Sequence, residues 1–455
     1  MKKNDVVLLE ISELNFPNKG VSYIDEYKIT VKNTLPHQKI KARICKKKNL
    51  NLEARKEEIL EKSPFETNKG CSHFEICGGC SYQTIPYEYE DKLKEEQVLK
   101  LFKNADIKDF VFEGIVTAPQ KEAYRNKCEF SFGDEEKGGE LALGMRKRQS
   151  FYEVVTLKDC NIVDSDYLKI ISKTLEFFKS KNITFYHKSL HTGVLRHLVV
   201  RKGFYTGEIL INLVTVSDYG FSDEEFVNAL LETKLEGKIV GILHTVNDGI
   251  ADAVINEGIK LIYGRDYYND RLFDLKFKIS PFSFFQTNTK GAEALYSIVK
   301  EYTGEVNNKI IYDLYCGTGT ISQVMAEKAK KVYGIEIVSE AIDAAKENAK
   351  ENGITNCEFI AGDVLKMVDE LNEKADLIIV DPPRDGIHPK AILKIIDFNA
   401  PEIVYVSCNP VSLVRDLKIF EENGYKTIKV RCLNQFSRTA HVETVVLLEK
   451  SNKQM

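Results

Sequence analysis

The 455-residue chain has no apolar run approaching a membrane span, which takes about 20 consecutive apolar residues. Its apolar stretch near the start, Val6-Val7-Leu8-Leu9, is far too short for the core of a secretory signal. A soluble cytoplasmic protein without membrane attachment is expected. Charge of one sign is not in excess either, since 64 Lys and Arg against 68 Asp and Glu leave a net charge of −4. That excludes a global basic field, so any nucleic-acid binding must come from local patches. Disulfides are not expected in a reducing compartment; the ten cysteines read instead as metal ligands, nucleophiles or core residues. The length is enough for two or three domains.

Residues 1–63 carry short β-runs at 6–11, 27–31 and 39–45, with Gly20 and Leu35-Pro36 between them, and read as a small barrel. Lys39, Lys41, Arg43, Lys46, Lys47 and Lys48 form its basic cluster. Two readings stand level for this cluster: a solvated edge strand guarded by lysines, or a phosphate-contacting surface of an RNA-binding barrel. Next come Cys71, Cys77 and Cys80 at C-x5-C-x2-C, with Gly78 and Gly79 freeing the backbone. This is a metal-site pattern in need of a fourth ligand. Cys160 is the candidate, because Cys128 lies in an apolar strand-like run. Four thiolates suit zinc or an iron–sulfur cluster alike.

Residues 87–103 read as a charged helix, and 120–275 as a mostly-β region with one or two helices, within a central domain spanning 64–275. Arg125, Lys127, Arg146, Lys147, Arg148, Arg196 and Arg201 are scattered through it. They would form an RNA footprint only if they shared a face. From 276 to 455 strands alternate with helices, the pattern of a doubly wound fold. A strand at 309–314 ends in Asp313-Leu314-Tyr315-Cys316-Gly317-Thr318-Gly319, the next ends at Glu336, and a third at Gly362-Asp363. The loop brings backbone close to a ligand and Glu336 can take ribose hydroxyls. The loop lacks the full G-x-G-x-x-G fingerprint, so a cofactor without a pyrophosphate, S-adenosylmethionine, fits better than NAD.

Asp313-x-x-x-Gly317-x-Gly319 resembles the first motif of class I methyltransferases, which would put Asp363 near the adenine. The fourth strand ends at Asp381-Pro382-Pro383-Arg384. Amino-group methyltransferases carry an aromatic residue where Arg384 stands, so methylation of a carbon is expected. C5 of uracil is a poor nucleophile until a thiolate adds to C6. The chemistry then needs a cysteine, a general base and a methyl donor in one cleft. Cys408 stands where a fifth strand runs into Ser407-Cys408-Asn409-Pro410, and His441 and Glu443 offer themselves near the C-terminus.

With these motifs, Ser-Pro-x-x-Phe-Phe-Gln-x-Asn at 280–288 and Thr-x-His-Val-Glu at 439–443, the chain resembles the RNA 5-methyluridine methyltransferases along nearly all its length. The resemblance implies a multidomain α/β protein: a TRAM (OB-like) RNA-binding barrel, a central mostly-β iron–sulfur domain and a C-terminal class I Rossmann-like methyltransferase domain. It implies Cys408 as nucleophile, Glu443 as base, and Gln286, Tyr315, Glu336 and Asp381 at the cofactor. It implies Cys71, Cys77, Cys80 and Cys160 as ligands of a [4Fe–4S] cluster. The tRNA branch generally lacks both barrel and cluster, so 23S rRNA is the expected substrate, processed by a monomer. The alternatives are the T-loop uridine of tRNA and an iron–sulfur RNA-binding protein with an inactive methyltransferase domain. One departure stands out: Asn434-Gln435-Phe436-Ser437-Arg438-Thr439 replaces the family's usual Asp-x-Phe-Pro-His-Thr.

Overall fold

The computed structural model describes residues 1–67, 70–150, 152–250, 258–364 and 373–451. Among the described residues three large sheets carry the chain, with a two-stranded sheet of Tyr268–Leu272 and Leu275–Ile279 beside them. The first has six strands from the N-terminal segment and encloses Ile11, Ile29, Val31, Ile40, Ile44 and Leu52. Strand Lys39–Lys48 alternates in the manner of a half-buried strand, with Ile40, Ala42 and Ile44 inward and lysines outward. Its first half, Lys39–Arg43, lies between Val6–Glu10 and Asn51–Glu61, so the edge-strand reading fails for Lys39, Lys41 and Arg43, while Lys46, Lys47 and Lys48 run on past Val6 with a paired strand on one side. Acidic residues on the neighbouring strand meet this stripe: Lys39 with Glu61 at 2.9 Å, Arg43 with Glu57 at 2.6 Å and Lys46 with Glu53 at 3.5 Å. Pairs this exposed contribute little, about 0–1 kcal/mol each.

The central sheet has seven strands between Lys127 and Gly264. Helices Ser165–Ser180 and Asp223–Leu231 bury Tyr167, Phe178 and Phe226 in a core shared with Phe130, Leu198 and Ile211 of the strands.

The third sheet has eight strands. Their order across it is Cys357–Ala361, Lys331–Glu336, Ile310–Leu314, Leu377–Val380, Glu402–Ser407, Glu443–Lys450, Tyr425–Asn434 and Val111–Thr117. The first five are parallel, and Glu443–Lys450 enters antiparallel between its neighbours. Apolar residues fill the central strands continuously because both faces are covered. Ile311, Leu377, Ile379, Val404 and Val406 join one core, while Tyr312, Ile378, Val380, Ile403 and Tyr405 join the other, in strict alternation. Strand Val111–Thr117 pairs in parallel with Tyr425–Asn434, although its residues fall within the stretch read from sequence as central. Helix Tyr87–Asn104 likewise sends Val98 and Phe102 into the core of this sheet. Among the described residues no helix is long and apolar enough to cross a membrane.

Candidate active site

The parallel strands end together at Leu314, Glu336, Val380 and Ser407, and a cavity of about 1410 Å³ opens beyond those carboxyl ends, where α/β sheets hold ligands. At one end of it the chain leaves strand Ile310–Leu314 through Tyr315, at φ 66°, and Gly317, at φ 54°. A side chain at Gly317 would meet nothing within 4 Å, so the space over the loop is open. Gly317 N–H donates to Glu336 Oε2 at 3.2 Å and Val338 N–H to Oε1 at 3.1 Å. Each oxygen keeps a lone pair for a ribose hydroxyl.

Gly319 does not line the cavity. Its φ is 72°, and a Cβ there would come within 2.5 Å of the Phe359 ring, so this glycine serves close packing beneath the loop. Asp313 is buried too, with its carboxylate accepting from Ser322 Oγ at 2.5 Å. Burial pushes its pKa up to about 7. Asp363 also lies outside the lining; its charge faces the Tyr315 phenol.

The segment 280–288 forms a second wall. Arg201 donates to the carbonyls of Pro281 and Ser283 at 2.8 and 2.9 Å. Asn126 donates to the Gln286 carbonyl at 2.8 Å, and Gln435 Nε2 to Gln286 Oε1 at 2.9 Å. With its oxygen so occupied, the Gln286 side chain has its amide N–H groups left for a ligand. Arg201, 2% exposed, is therefore a buried clamp rather than part of an RNA footprint. Arg148 is also committed: it donates to the carbonyls of Cys77 and Cys80 at 3.3 and 2.6 Å. Of the scattered basic residues, Arg125 alone lines the cavity, stacked 5.7 Å from the Phe436 ring centre.

At the other end stand Cys408, Glu443, Asp381, Arg384 and His441. Register places the first two. Ser407 pairs with Thr444, and one residue further along are Cys408 and Glu443. Asn409 Nδ2 and Ser412 Oγ donate to the Arg384 carbonyl at 2.9 and 3.0 Å, locking the Asp-Pro-Pro-Arg loop to the Cys408 turn. Burial, followed by the Glu443 and Asp381 charges, pushes the Cys408 thiol up to about 12, while Arg384 pulls it down. Burial raises Glu443 to about 7, again opposed by Arg384. Asp381 is raised well above the usual carboxylate range by burial, then by Glu443 and Asp313. Burial, then the charges of Arg384, Lys94 and Arg125, lowers His441 to about 4, leaving it a neutral imidazole at physiological pH. Among the described residues Arg384 is thus the cation set against both thiol and carboxylate. Sequence reading used this residue only to exclude an aromatic one, and passed over Phe436 and Tyr267 in the lining.

The sequence-predicted residues Cys408, Glu443, Gln286, Tyr315, Gly317, Glu336 and Asp381 come together in this one cavity. The loop's open cradle, the Glu336 carboxylate and the Gln286 amide fit a nucleoside with a charged tail, as S-adenosylmethionine is.

Cys71, Cys77, Cys80 and Cys160 are half-buried free thiols. They lie near one another: after burial, the charges of Cys160, Cys77 and Cys71 raise Cys80, which stands at about 12. N–H donors reach the sulfurs, from His73 to Cys71 and from Gly79 to Cys77, both at 3.4 Å, and from Gln83 to Cys80 at 3.3 Å. Yet among the described residues no three His, Cys, Asp or Glu side chains converge tightly enough to grip a metal ion. A lone zinc, at ~2.3 Å from each sulfur, holds its thiolates about 4 Å apart. The set does not fit that as it stands. Four thiolates are equally the donor set of an iron–sulfur cluster.

Residues 87–451 match the family described as tRNA (Uracil-5-)-methyltransferase. An uncharacterized RNA methyltransferase of Clostridium acetobutylicum is 49% identical over 450 residues, covering 99% of each chain. One from Caldanaerobacter subterraneus subsp. tengcongensis is 47% identical over 451 residues, covering 99% of this chain and all of its own. Among solved structures, the tRNA (uracil-54, C5)-methyltransferase of Pyrococcus abyssi, in complex with S-adenosyl-L-homocysteine, superposes with a TM-score of 0.77. That match covers 97% of this chain and 99% of the other at 24% identity, and is a likeness of fold.

Proposed function

The chain belongs to the tRNA (Uracil-5-)-methyltransferase family, and on that premise we propose that it methylates C5 of a uridine in 23S rRNA through a covalent Cys408 adduct. It is an RNA uracil-5-methyltransferase with S-adenosylmethionine as methyl donor. The observation that carries the mechanism is the meeting of Cys408, Glu443 and Arg384 at the far end of the cofactor cavity. The cofactor supplies an electrophilic methyl group on a sulfonium. Arg384 favours the Cys408 thiolate, which adds to C6 of a uracil taken out of its stack. The displaced π electrons make C5 enolate-like, and C5 takes the methyl group as the sulfonium leaves as a thioether. Glu443, ionised, then accepts the C5 proton, the C5–C6 double bond re-forms, and the Cys408 thiolate departs. Gln286, Tyr315, Glu336 and Asp381, which line the cavity, would hold the donor.

The rRNA assignment rests on the N-terminal six-stranded unit, which we read as a TRAM barrel, and on the cysteine module, which we read as a [4Fe–4S] site. A second reading, the tRNA T-loop uridine, draws on the family's description and on the uracil-54 specificity of the Pyrococcus abyssi enzyme. Purified tRNA and 23S rRNA fragments offered separately decide the matter. Label is expected in one mapped rRNA uridine, and label only in tRNA would transfer the assignment. We read the protein as a cytoplasmic monomer.

Nothing in the chemistry above passes electrons, so the cluster is assigned a structural role, stapling the central domain as bound metals do. Cys71→Ala is accordingly expected to lower thermal stability or RNA affinity while cofactor affinity, measured by calorimetry, stays near that of the parent. Parental stability and RNA binding in that variant would count against the assignment.

A further inference from the structure

Asn434, at the end of strand Tyr425–Asn434, and Arg438, in the loop that follows it, meet the same buried charges. Glu90 and Lys94 stand one turn apart on helix Tyr87–Asn104, buried and 2.9 Å from each other. Asn434 bridges them: Nδ2 donates to Glu90 Oε1 at 3.0 Å and Oδ1 accepts from Lys94 Nζ at 2.6 Å. Nδ2 also donates to Asp91 Oδ1 at 2.6 Å, so aspartate at 434 could not donate and would set a third carboxylate beside Glu90 and Asp91.

Arg438 completes the group. Its backbone N–H donates to Glu90 Oε1 at 2.8 Å, and the side-chain Nη1 lies 3.6 Å from Oε2. The guanidinium sits 3.6 Å over the Tyr87 ring. Nη1 also donates to the carbonyls of Tyr82 and Ile85 at 3.0 and 2.6 Å. In return the Arg438 carbonyl accepts from the N–H groups of Ser81 and Tyr82 at 2.7 and 3.0 Å. The loop is thus bound in both directions to the residues that immediately follow Cys80.

The same loop reaches the reaction cavity. Thr439 Oγ1 accepts from the His441 N–H at 3.2 Å and donates to the Phe436 carbonyl at 2.7 Å. Phe436 and His441 line the cavity, and Gln435 holds Gln286. We propose that Arg438 is a positioning residue, clamping the loop 435–441 to the segment after Cys80 so that the cysteine-bearing module sets the geometry of the uracil end of the cavity. This rests on the uracil-methylation reading above. Lysine would keep the charge opposite Glu90 but lacks the flat guanidinium that lies over the Tyr87 ring; methionine would keep neither.

The experiment uses full-length Arg438→Met and Arg438→Lys, with amide exchange over 435–441 read alongside kcat and KM on methylatable RNA. Exchange in the loop is expected to quicken while strand Glu443–Lys450 keeps its protection. kcat should fall about 10- to 100-fold in Arg438→Met, the cost of a misplacement on the order of 1 Å, with KM for RNA within about 3-fold, and less in Arg438→Lys. Should Arg438→Met not fold, Arg438→Lys carries the same readouts. Unchanged loop exchange overturns the clamp; faster exchange with parental kcat overturns the positioning role. A loss of kcat fully matched by a loss of folded protein overturns it as well. If the parent itself methylates no uridine, the methylation reading falls, and the exchange data still judge the clamp.

Discussion

Glu443→Gln, given cofactor and substrate RNA, is expected to accumulate a protein–RNA complex that survives denaturant while turnover falls by about 10²- to 10⁴-fold. Cys408 can still add to C6 and C5 can still take the methyl group, because neither step needs the carboxylate. Only release does: until the C5 proton is removed, the thiol cannot depart. Glutamine fills the same buried site at the head of strand Glu443–Lys450 but cannot accept that proton. Cys408→Ala should abolish product and complex together. Electrophoresis under denaturing conditions with labelled RNA reads both variants. Absence of the complex in Glu443→Gln, with the variant folded and binding RNA, would take the base role away from Glu443.

The same substitution is expected to stabilise the cofactor-free protein at alkaline pH. Glu443 is buried beside Asp381 and has its pKa raised from 4.5 to about 7. Between those values the native state binds more protons than the unfolded chain, so stability falls as pH rises through that window. The penalty is absent below about pH 4.5 and fully present above about pH 7, where it amounts to roughly 3 kcal/mol. Glutamine carries no charge to bury. Urea midpoints should therefore favour Glu443→Gln over the parent at pH 8 and converge near pH 5. Equal midpoints at both pH values would mean the buried carboxylate is compensated more fully than Arg384 alone provides. Retaining a carboxylate that costs this much is what a base tuned near neutrality requires.

Much of the site was legible because local pattern and sheet topology agree. Strands that end in Tyr315, Glu336, Asp381 and Cys408 must bring those residues to one edge once they are parallel neighbours, and a glycine loop after the first strand supplies the cradle. Gly319 and Asp363, expected at the cofactor, lie outside the cavity lining. A glycine in such a loop serves backbone approach or packing equally, and only Phe359 lying against it shows which. The place of Arg384 opposite Cys408 and Glu443, and that of Phe436 in the lining, are not legible in the sequence because a surface cation and a loop aromatic acquire meaning only from what faces them. The lysine stripe at 39–48 looked like an edge for the reverse reason: Glu53, Glu57 and Glu61 are separate in sequence and become its partners only through strand pairing. Val111–Thr117 was unreadable as a member of the large sheet, since nothing local reveals a partner strand at Tyr425–Asn434.

That last pairing fixes an order of events during synthesis. Val111–Thr117 leaves the ribosome early, but its partner strand follows roughly 300 residues later, some tens of seconds at 5–20 residues per second. Until then the early strand presents an open, aggregation-prone edge, and the central sheet can form well before the reaction cavity exists. The catalytic unit therefore cannot be excised at residue 276 intact: such a fragment would leave Tyr425–Asn434 as a bare rim. The large sheet is complete only when its last strands arrive, and nascent chains short of them carry Cys71, Cys77, Cys80 and Cys160 without the reaction cavity.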